Sequence, residues 1–457
     1  MNREISDVLQ GKTLDDTVFQ DEEEPVAGNQ LDDDDPLRSL SHQGKEPSAC
    51  RARPKEVLLF FLASAGSSIG WTSVLSNLVF YTDSLGVDSF VYLNLAVYSP
   101  LFPIFLAQAL YDPYFDRIYQ SRRSYLFRGS LSFFATLVAI GLTPWASSNL
   151  VFLSGIALVL GTSSAVLHGT LKQMAAFVYP NCDRLPAAVA AGMQASAALV
   201  LIVALLTGFG HCGNSSQLRV FYFAIAAIVL ICWTSFQTLM SYSPDVDRSM
   251  TRRDSPIGGI GEPLLSTTSE DFDGNSSNES TSGITFLELW KSTWHICLAV
   301  MITVGSSMAA ASWFNRVQSQ DPTNQSLPQI LFYTRLFSDL LGRPATLCLS
   351  VKSIRCIGAL ALIRLSFVPV FIIYISGNTI PKNDTLIILA VAGFAFSSGF
   401  LSTTCYQLAP SMITDNSQGT NSSKQAGLIN VCFAFSILSG LLLSFLVRLS
   451  VDSSSPQ

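Results

Sequence analysis

Charge is scarce in this chain. Only 13% of its 457 residues are Asp, Glu, Lys or Arg, where a soluble domain carries about a quarter, and 49% are hydrophobic. That balance excludes an ordinary soluble protein and points to an integral membrane protein. The acids that exist are confined. Residues 1–50 hold 13 of the 33 and residues 242–289 hold nine. The formal net charge of −6 therefore comes from two polar segments. A basic stripe is missing, which argues against a nucleic-acid partner. There are four histidines, and no HExxH, GxSxG or paired-carboxylate motif, so an enzyme is not expected. Nine cysteines include no CxxC pair, which removes the usual zinc and redox motifs. Most of them (Cys232, Cys297, Cys348, Cys405, Cys432) sit in apolar runs and read as buried, inert thiols. Nothing calls for a cofactor or a metal. Residues 1–50 also lack the early apolar core of a signal peptide, so the first apolar run is expected to serve as its own membrane signal.

What the chain has in abundance is long apolar runs. A spanning helix needs about 20 mostly apolar residues. Eleven runs qualify, near 56–80, 89–111, 126–147, 150–179, 186–209, 218–241, 291–314, 328–351, 355–377, 385–409 and 425–449. The expected fold is an all-α integral membrane protein of eleven transmembrane helices. They form two bundles in a 6+5 major-facilitator-like arrangement. The expected divisions are an acidic, disordered tail (1–54), a six-helix bundle (55–241), a disordered linker (242–289), a five-helix bundle (290–450) and a short tail (451–457). The linker is rich in serine and contains RRDS at 252–255, which suggests kinases as partners. A plain solvated linker accounts for the same composition.

Lys and Arg in the short flanks set the orientation. With the N-terminus in the cytosol, fourteen of them fall on the cytosolic side and four (Arg219, Arg316, Lys382, Arg448) on the other. The linker is then cytosolic and the C-terminus extracellular or lumenal. Sequons at Asn214, Asn324 and Asn383 fall on the non-cytosolic side, where glycosylation is chemically open. Asn421 also heads a sequon, but on the cytosolic side, and is expected to stay unmodified.

The stretch SDLLGRPATL, residues 338–347, breaks the apolar rule. Arg335, Asp339 and Arg343 are spaced four apart, which places them on one slowly drifting helix face. Each isolated charge at mid-membrane costs a few kcal/mol on insertion scales, so the face must meet a bundle interior, a partner or water. Gly342 lets a helix or a ligand come close beside Arg343. Pro344 removes a backbone donor. A structural ion pair and a substrate site both explain the cluster. Elsewhere the runs are nearly free of charge. His168, in SSAVLHGTLKQM, is the clearest polar residue of the fourth run, and Lys172 shares its helical face. Trp71 lies deep in the first run, where it either packs or walls a cavity for a flat ligand. Small-residue clusters such as AAVAAGMQASAA (187–198) allow close helix crossings.

DLLGR at 339–343, ALIRLSFVPVF at 361–371, GFAFSSGFLSTTCYQLAP at 393–410 and QAGLINVCFAFSILSGLLLSFLVR at 425–448 resemble the equilibrative nucleoside transporter family. Order and spacing agree, as do eleven helices with a cytosolic middle loop. The resemblance implies a transporter of nucleosides, or of nucleobases, working by alternating access in the lipid bilayer. It implies that Trp71, Leu75, His168, Asp339 and Arg343 form the substrate site. Asp339 and Arg343 would hold the ribose hydroxyls, and Trp71, Leu75 and His168 would face the base. Arg364 matches a family arginine read as structural. Arg335 is an added charge, either a second partner for Asp339 or a gate. The sequence departs from the family where Gly70-Trp71-Thr72 replaces Pro-Trp-Asn and where His168 replaces Gln. Histidine titrates near neutral pH, so proton coupling, if present, is expected to run through His168. The plasma membrane is the expected residence ahead of an endomembrane. A major-facilitator-type or battenin-like transporter of another solute, and a non-transporting scaffold, stay open as alternatives.

Overall fold

Fifteen α-helices appear among the described residues of a computed structural model. The structure describes residues 52–86, 89–179, 182–209, 215–254, 286–311, 317, 319–321, 327–376, 382–412 and 418–454. Expectations for the tail before 52, most of the linker, and Asn214 and Asn324 lie outside the described residues.

The first half comprises α1 (Pro54–Ser76), α2 (Leu78–Leu85), α3 (Ser89–Tyr98), α4 (Leu101–Tyr119), α5 (Ser121–Ala146), α6 (Leu150–Val178), α7 (Arg184–Thr207) and α8 (Ser215–Tyr242). A short α9 (Pro244–Asp254) follows. The second half comprises α10 (Phe286–Ala311), α11 (Leu327–Ala345), α12 (Ile354–Leu365), α13 (Phe367–Ser376), α14 (Asp384–Leu408) and α15 (Gln418–Ser454). Local chemistry sets several ends. The Asn149 carboxamide accepts the amides of Val151 and Phe152 at 3.0 and 3.1 Å and starts α6. Asn383 does the same for Leu386 at 3.1 Å and starts α14, so this sequon asparagine is a helix cap. Gly208, at φ 66°, closes α7 in the left-handed conformation that glycine adopts freely.

Among the described residues, ten helical spans are long and apolar enough to cross a membrane. Two expected single helices are broken. The run near 89–111 bends between α3 and α4 at Pro100, which has no amide to donate. The run near 355–377 bends at Ser366 between α12 and α13, with Pro369 just beyond. Each pair still reads as one span, Val91–Asp112 and Ile354–Ile375. The expected run at 328–351 is the exception. Its helix, α11, is 19 residues long and stops one residue past Pro344. Three full charges keep it out of the ten. Cys348, beyond its end, is exposed rather than buried as expected.

The spans are inverted relative to a soluble helix. On α5, Leu131, Phe134, Val138, Leu142 and Trp145 are exposed at helical spacing. The opposite face buries Gly129, Ser132, Thr136, Ala139 and Thr143. Lipid takes the large apolar side chains, and small or hydroxyl side chains let backbones approach. The 187–198 cluster works this way. A Cβ on Gly192 would lie 2.2 Å from the Phe61 carbonyl oxygen, so α7 crosses α1 in backbone contact. Hydroxyls pair inside, as in Tyr81–Tyr222 at 2.7 Å and Thr136–Ser163 at 2.9 Å.

α1 packs on α7, α8 and α6, and α5 on α6 and α8. In the second half α10 packs on α15, α12 and α14, and α11 on α14. The halves meet where α15 lies on α6 and α4, and where α11 and α14 lie on α7.

Part of the expected linker is ordered. α9 buries Val246 and Met250, one turn apart, and Asp245 and Asp247 sit favourably in its first turn. The Ser243 hydroxyl donates to Glu56 at 2.5 Å. The Tyr179 hydroxyl lies 2.6 Å from Glu56 and 2.9 Å from Asp245. Burial and these two carboxylates push the Tyr179 phenol well above its ordinary value, so it remains a donor at physiological pH. Arg122 pairs with Asp247 at 2.6 Å. The chain leaving α8 is thus pinned to the ends of α1, α5 and α6.

Candidate functional site

α11 carries Asp339 and Arg343 on successive turns, and they pair. Arg343 donates from Nη2 at 2.9 Å and from Nε at 3.1 Å, both to Asp339 Oδ2. Its Nη1 donates across to the Ala190 carbonyl of α7 at 3.0 Å. One guanidinium therefore neutralises a carboxylate and bridges the two halves of the molecule. Both side chains are largely buried, at 15% and 13% exposure. The fork takes one carboxylate oxygen and leaves the other, Oδ1, as an acceptor.

The neighbouring helix fixes the pair. A Cβ on Gly342 would lie 2.2 Å from the Phe396 carbonyl oxygen, and one on Gly399 would lie 2.1 Å from the Asp339 carbonyl oxygen. α11 and α14 thus touch backbone to backbone at the turn that bears the charges. Of the two uses open to Gly342, a helix and not a ligand takes the space.

Arg335 lies one turn before Asp339 and is half-buried. Tyr98 and Asp339 are the oppositely charged or ionisable groups within its electrostatic reach. No described ion pair joins it to Asp339. Trp71 packs edge-on against Tyr98, with ring centroids 5.6 Å apart. Leu75, one turn further along α1, is half-buried against the same core. Trp71 and Leu75 stand near the end of α1 remote from the Glu56–Tyr179 cluster.

His168 is buried in α6, and its Nε2 lies 2.7 Å from the Ser68 hydroxyl on α1. Ser68 precedes Trp71 by one turn, so His168 is linked to the helix that carries the tryptophan. Lys172 follows His168 by one turn. Its Nζ donates to the Tyr406 hydroxyl of α14 at 2.9 Å and sits 4.2 and 4.4 Å from the centroids of Tyr406 and Phe433. The Tyr406 hydroxyl donates in turn to Asn430 Oδ1 of α15 at 2.7 Å.

Lys172 and Arg343 line one cleft, together with Ala190, Thr403, Tyr406 and Gln425 among others. It lies between α6 and α7 of one half and α11, α14 and α15 of the other. Its lining reaches Ala176, Pro186, Pro410 and Ser422, toward the end of the molecule where α6 finishes and α7 begins. Trp71, Leu75, His168 and Asp339 are not on its wall. Asp339 is one helical turn behind Arg343, and His168 one turn behind Lys172. The structure joins Asp339 to Arg343 and places His168 beside the helix of Trp71. It shows no contact between Trp71 and Asp339.

Arg364 stands apart from the cleft. It is 2% exposed, yet every nitrogen is used. It donates to the Phe394 carbonyl and Ser397 on α14, and to the Thr303 carbonyl, Ser306 and Ser307 on α10. Its guanidinium lies 3.9 Å above the Phe394 ring.

Lys172 was visible in the sequence as an intramembrane cation, but its partners were not. Tyr406, Asn430 and Phe433 lie more than 230 residues away and look like any apolar-run residues. Gln425 carried no signal except its place near the start of a span.

Among the described residues, no cluster of His, Cys, Asp and Glu could hold a metal ion. No curated protein matches the chain. Solved structures do. The Escherichia coli fucose:proton symporter FucP superposes with a TM-score of 0.54 at 12% identity, covering 88% of this chain and 92% of that one. The major facilitator superfamily proton:xylose symporter XylE, bound to 6-bromo-6-deoxy-D-glucose, superposes with a TM-score of 0.55 at 11% identity, covering 88% and 89%. At that identity the likeness shows the fold alone, a major-facilitator-type fold. The family model described as nucleoside transporter matches residues 154–449, well over half of the chain. With its many apolar helices and this match, the chain is a multi-pass membrane transporter that belongs to the nucleoside transporter family.

Proposed function

We propose that the protein carries nucleosides across its membrane by alternating access, as a facilitator. Its substrate site is formed by Asp339 and Arg343 on one half and by Trp71, Leu75 and His168 on the other. The observation that carries this reading is the Asp339–Arg343 pair, buried beside a cleft between the halves. A neutral nucleoside has a polar ribose and a flat base. Vicinal hydroxyls suit a charge-assisted grip from a carboxylate and a guanidinium. An aromatic wall suits the base. Midplane binding between two bundles that rock is a common transporter design.

In this reading α11 is the eighth of eleven spans, with its charges turned to the site, and the bundles divide six and five. The fourteen-to-four bias of Lys and Arg puts the N-terminus, α9 and the mouth of the cleft in the cytosol. The state described is then inward-facing. The plasma membrane is the residence favoured, and the serine-rich linker the place for kinases to act. Arg364 is structural, holding α10, α12 and α14 together. Arg335 is a gate charge: it lies within electrostatic reach of Tyr98, on the Trp71 side, and of Asp339, with no described ion pair to either.

Uptake of radiolabelled adenosine and uridine into proteoliposomes tests this. Wild type takes up both, and Asp339→Asn and Arg343→Ala each lose at least about 90% of the rate, in line with removal of a buried charge pair. Normal uptake by both well-folded variants sinks the site, and no uptake of any nucleoside or base by wild type sinks the function. Proton coupling through His168 is a second reading, supported by its burial next to Ser68. It requires uptake that depends on an imposed pH gradient and loses that dependence in His168→Gln.

A further inference from the structure

Lys172 takes no part in the grip described above, although it lines the cleft beside it. It is buried, and no carboxylate pairs with it among the described residues. Arg343, the other cation on the wall, is neutralised by Asp339. No described residue of the lining is acidic. The cleft therefore holds a buried amine with no carboxylate partner among the described residues, in a place where charge is costly to bury. Tyr406 and Phe433 hold the ammonium between their rings, and the Tyr406 hydroxyl accepts one of its protons. That hydroxyl spends its own proton on Asn430, so it presents a lone pair to the lysine. An ammonium has three donors, and two remain.

We propose that Lys172 selects nucleosides whose base is an anion, the acidic oxopurines being the type. This rests on the nucleoside reading above. The charge belongs on the base because Lys172 lies one helical turn from His168, on the base side. A phosphate would sit on the ribose, beside the Asp339–Arg343 pair and away from Lys172. A base anion is the opposite charge that a protonated Lys172 lacks among the described residues of the lining. Rim charges change rates modestly, whereas a desolvated opposite-charge pair changes affinity by tenfold or more.

Xanthosine and inosine provide the test. They differ by one oxo group, and the xanthosine base is anionic at neutral pH while inosine is neutral. The full-length protein in proteoliposomes is assayed for the ratio of their kcat/KM values, which cancels any loss of folded protein. Wild type favours xanthosine. Lys172→Met lowers the xanthosine-to-inosine ratio by roughly tenfold or more, and Lys172→Arg keeps it within about threefold. A purely structural lysine lowers both rates together and leaves the ratio unchanged, and that result overturns the proposal. Stronger inhibition by xanthosine 5′-monophosphate than by xanthosine overturns it in favour of a phosphate site. If wild type carries inosine and adenosine but shows no such ratio change, only this inference fails. If it carries no nucleoside at all, the transport reading fails with it.

Discussion

Asp339 and Arg343 show how a residue pair can be read before its fold is known. Spacing of four on a helix allowed the pair, and the cost of intramembrane charge made it significant. Lys172 shows the reverse. Its burial was legible, but a lysine's partner is legible only when it is close in sequence, and Tyr406 is 234 residues away. Arg364 and Asp339 differ in consequence. Replacing Arg364 with Lys keeps the charge but loses the fork that serves two helices. The expected result is a destabilisation of about 3 kcal/mol, seen as a lowered melting temperature in detergent, with the KM of the remaining folded protein little changed. A variant that melts like wild type contradicts the structural role. Asp339→Asn strands Arg343 in the bundle interior and is expected to lower both stability and uptake, and Asp339→Asn with Arg343→Gln to recover part of the stability but none of the uptake.

At the scale of elements, length and hydropathy located ten of the eleven expected runs as spans among the described residues, and the remaining one, near 328–351, as a helix too charged to qualify by composition. Breaks within runs were harder to place. Pro100 and Pro369 stood in the sequence, but whether a proline bends a helix or ends it depends on what re-satisfies the freed carbonyls. α9 was missed because its eleven residues are polar overall, and only Val246 and Met250 mark a buried face. Tyr179→Phe is expected to loosen it. Hydrogen exchange of residues 244–254 then speeds up while α5 and α6 are unaffected, since one or two hydrogen bonds at about 1 kcal/mol each are lost. Exchange unchanged in α9 rules out that anchor. The α11–α14 crossing makes a sharper prediction. A methyl at Gly342 meets backbone that cannot swing away, so Gly342→Ala is expected to cost about 3 kcal/mol and abolish uptake. Gly141 has nothing within 4 Å of its would-be Cβ, and Gly141→Ala is expected to be neutral or slightly stabilising. Equal behaviour of the two glycine variants in a thermal melt argues against the close crossing.

At the scale of the whole molecule, the two halves touch through few polar groups near the cleft. Arg343 reaches Ala190, and Lys172 reaches Tyr406. The proposed rocking of one half against the other would break these bonds, which would place both cations on the moving seam. The family was legible because its motifs cluster in the second half, on the helices that surround the charged turn. The course of the cleft was not, because it depends on how α6 and α7 face α14 and α15, and no local pattern encodes that. The central claim is that Asp339 grips ribose. Inhibition of adenosine uptake by adenosine and by 3′-deoxyadenosine, in wild type and in Asp339→Asn, measures the coupling between that carboxylate and one hydroxyl. The account predicts that wild type prefers adenosine by roughly tenfold or more, and that Asp339→Asn binds the two about equally. The same preference in both proteins contradicts it.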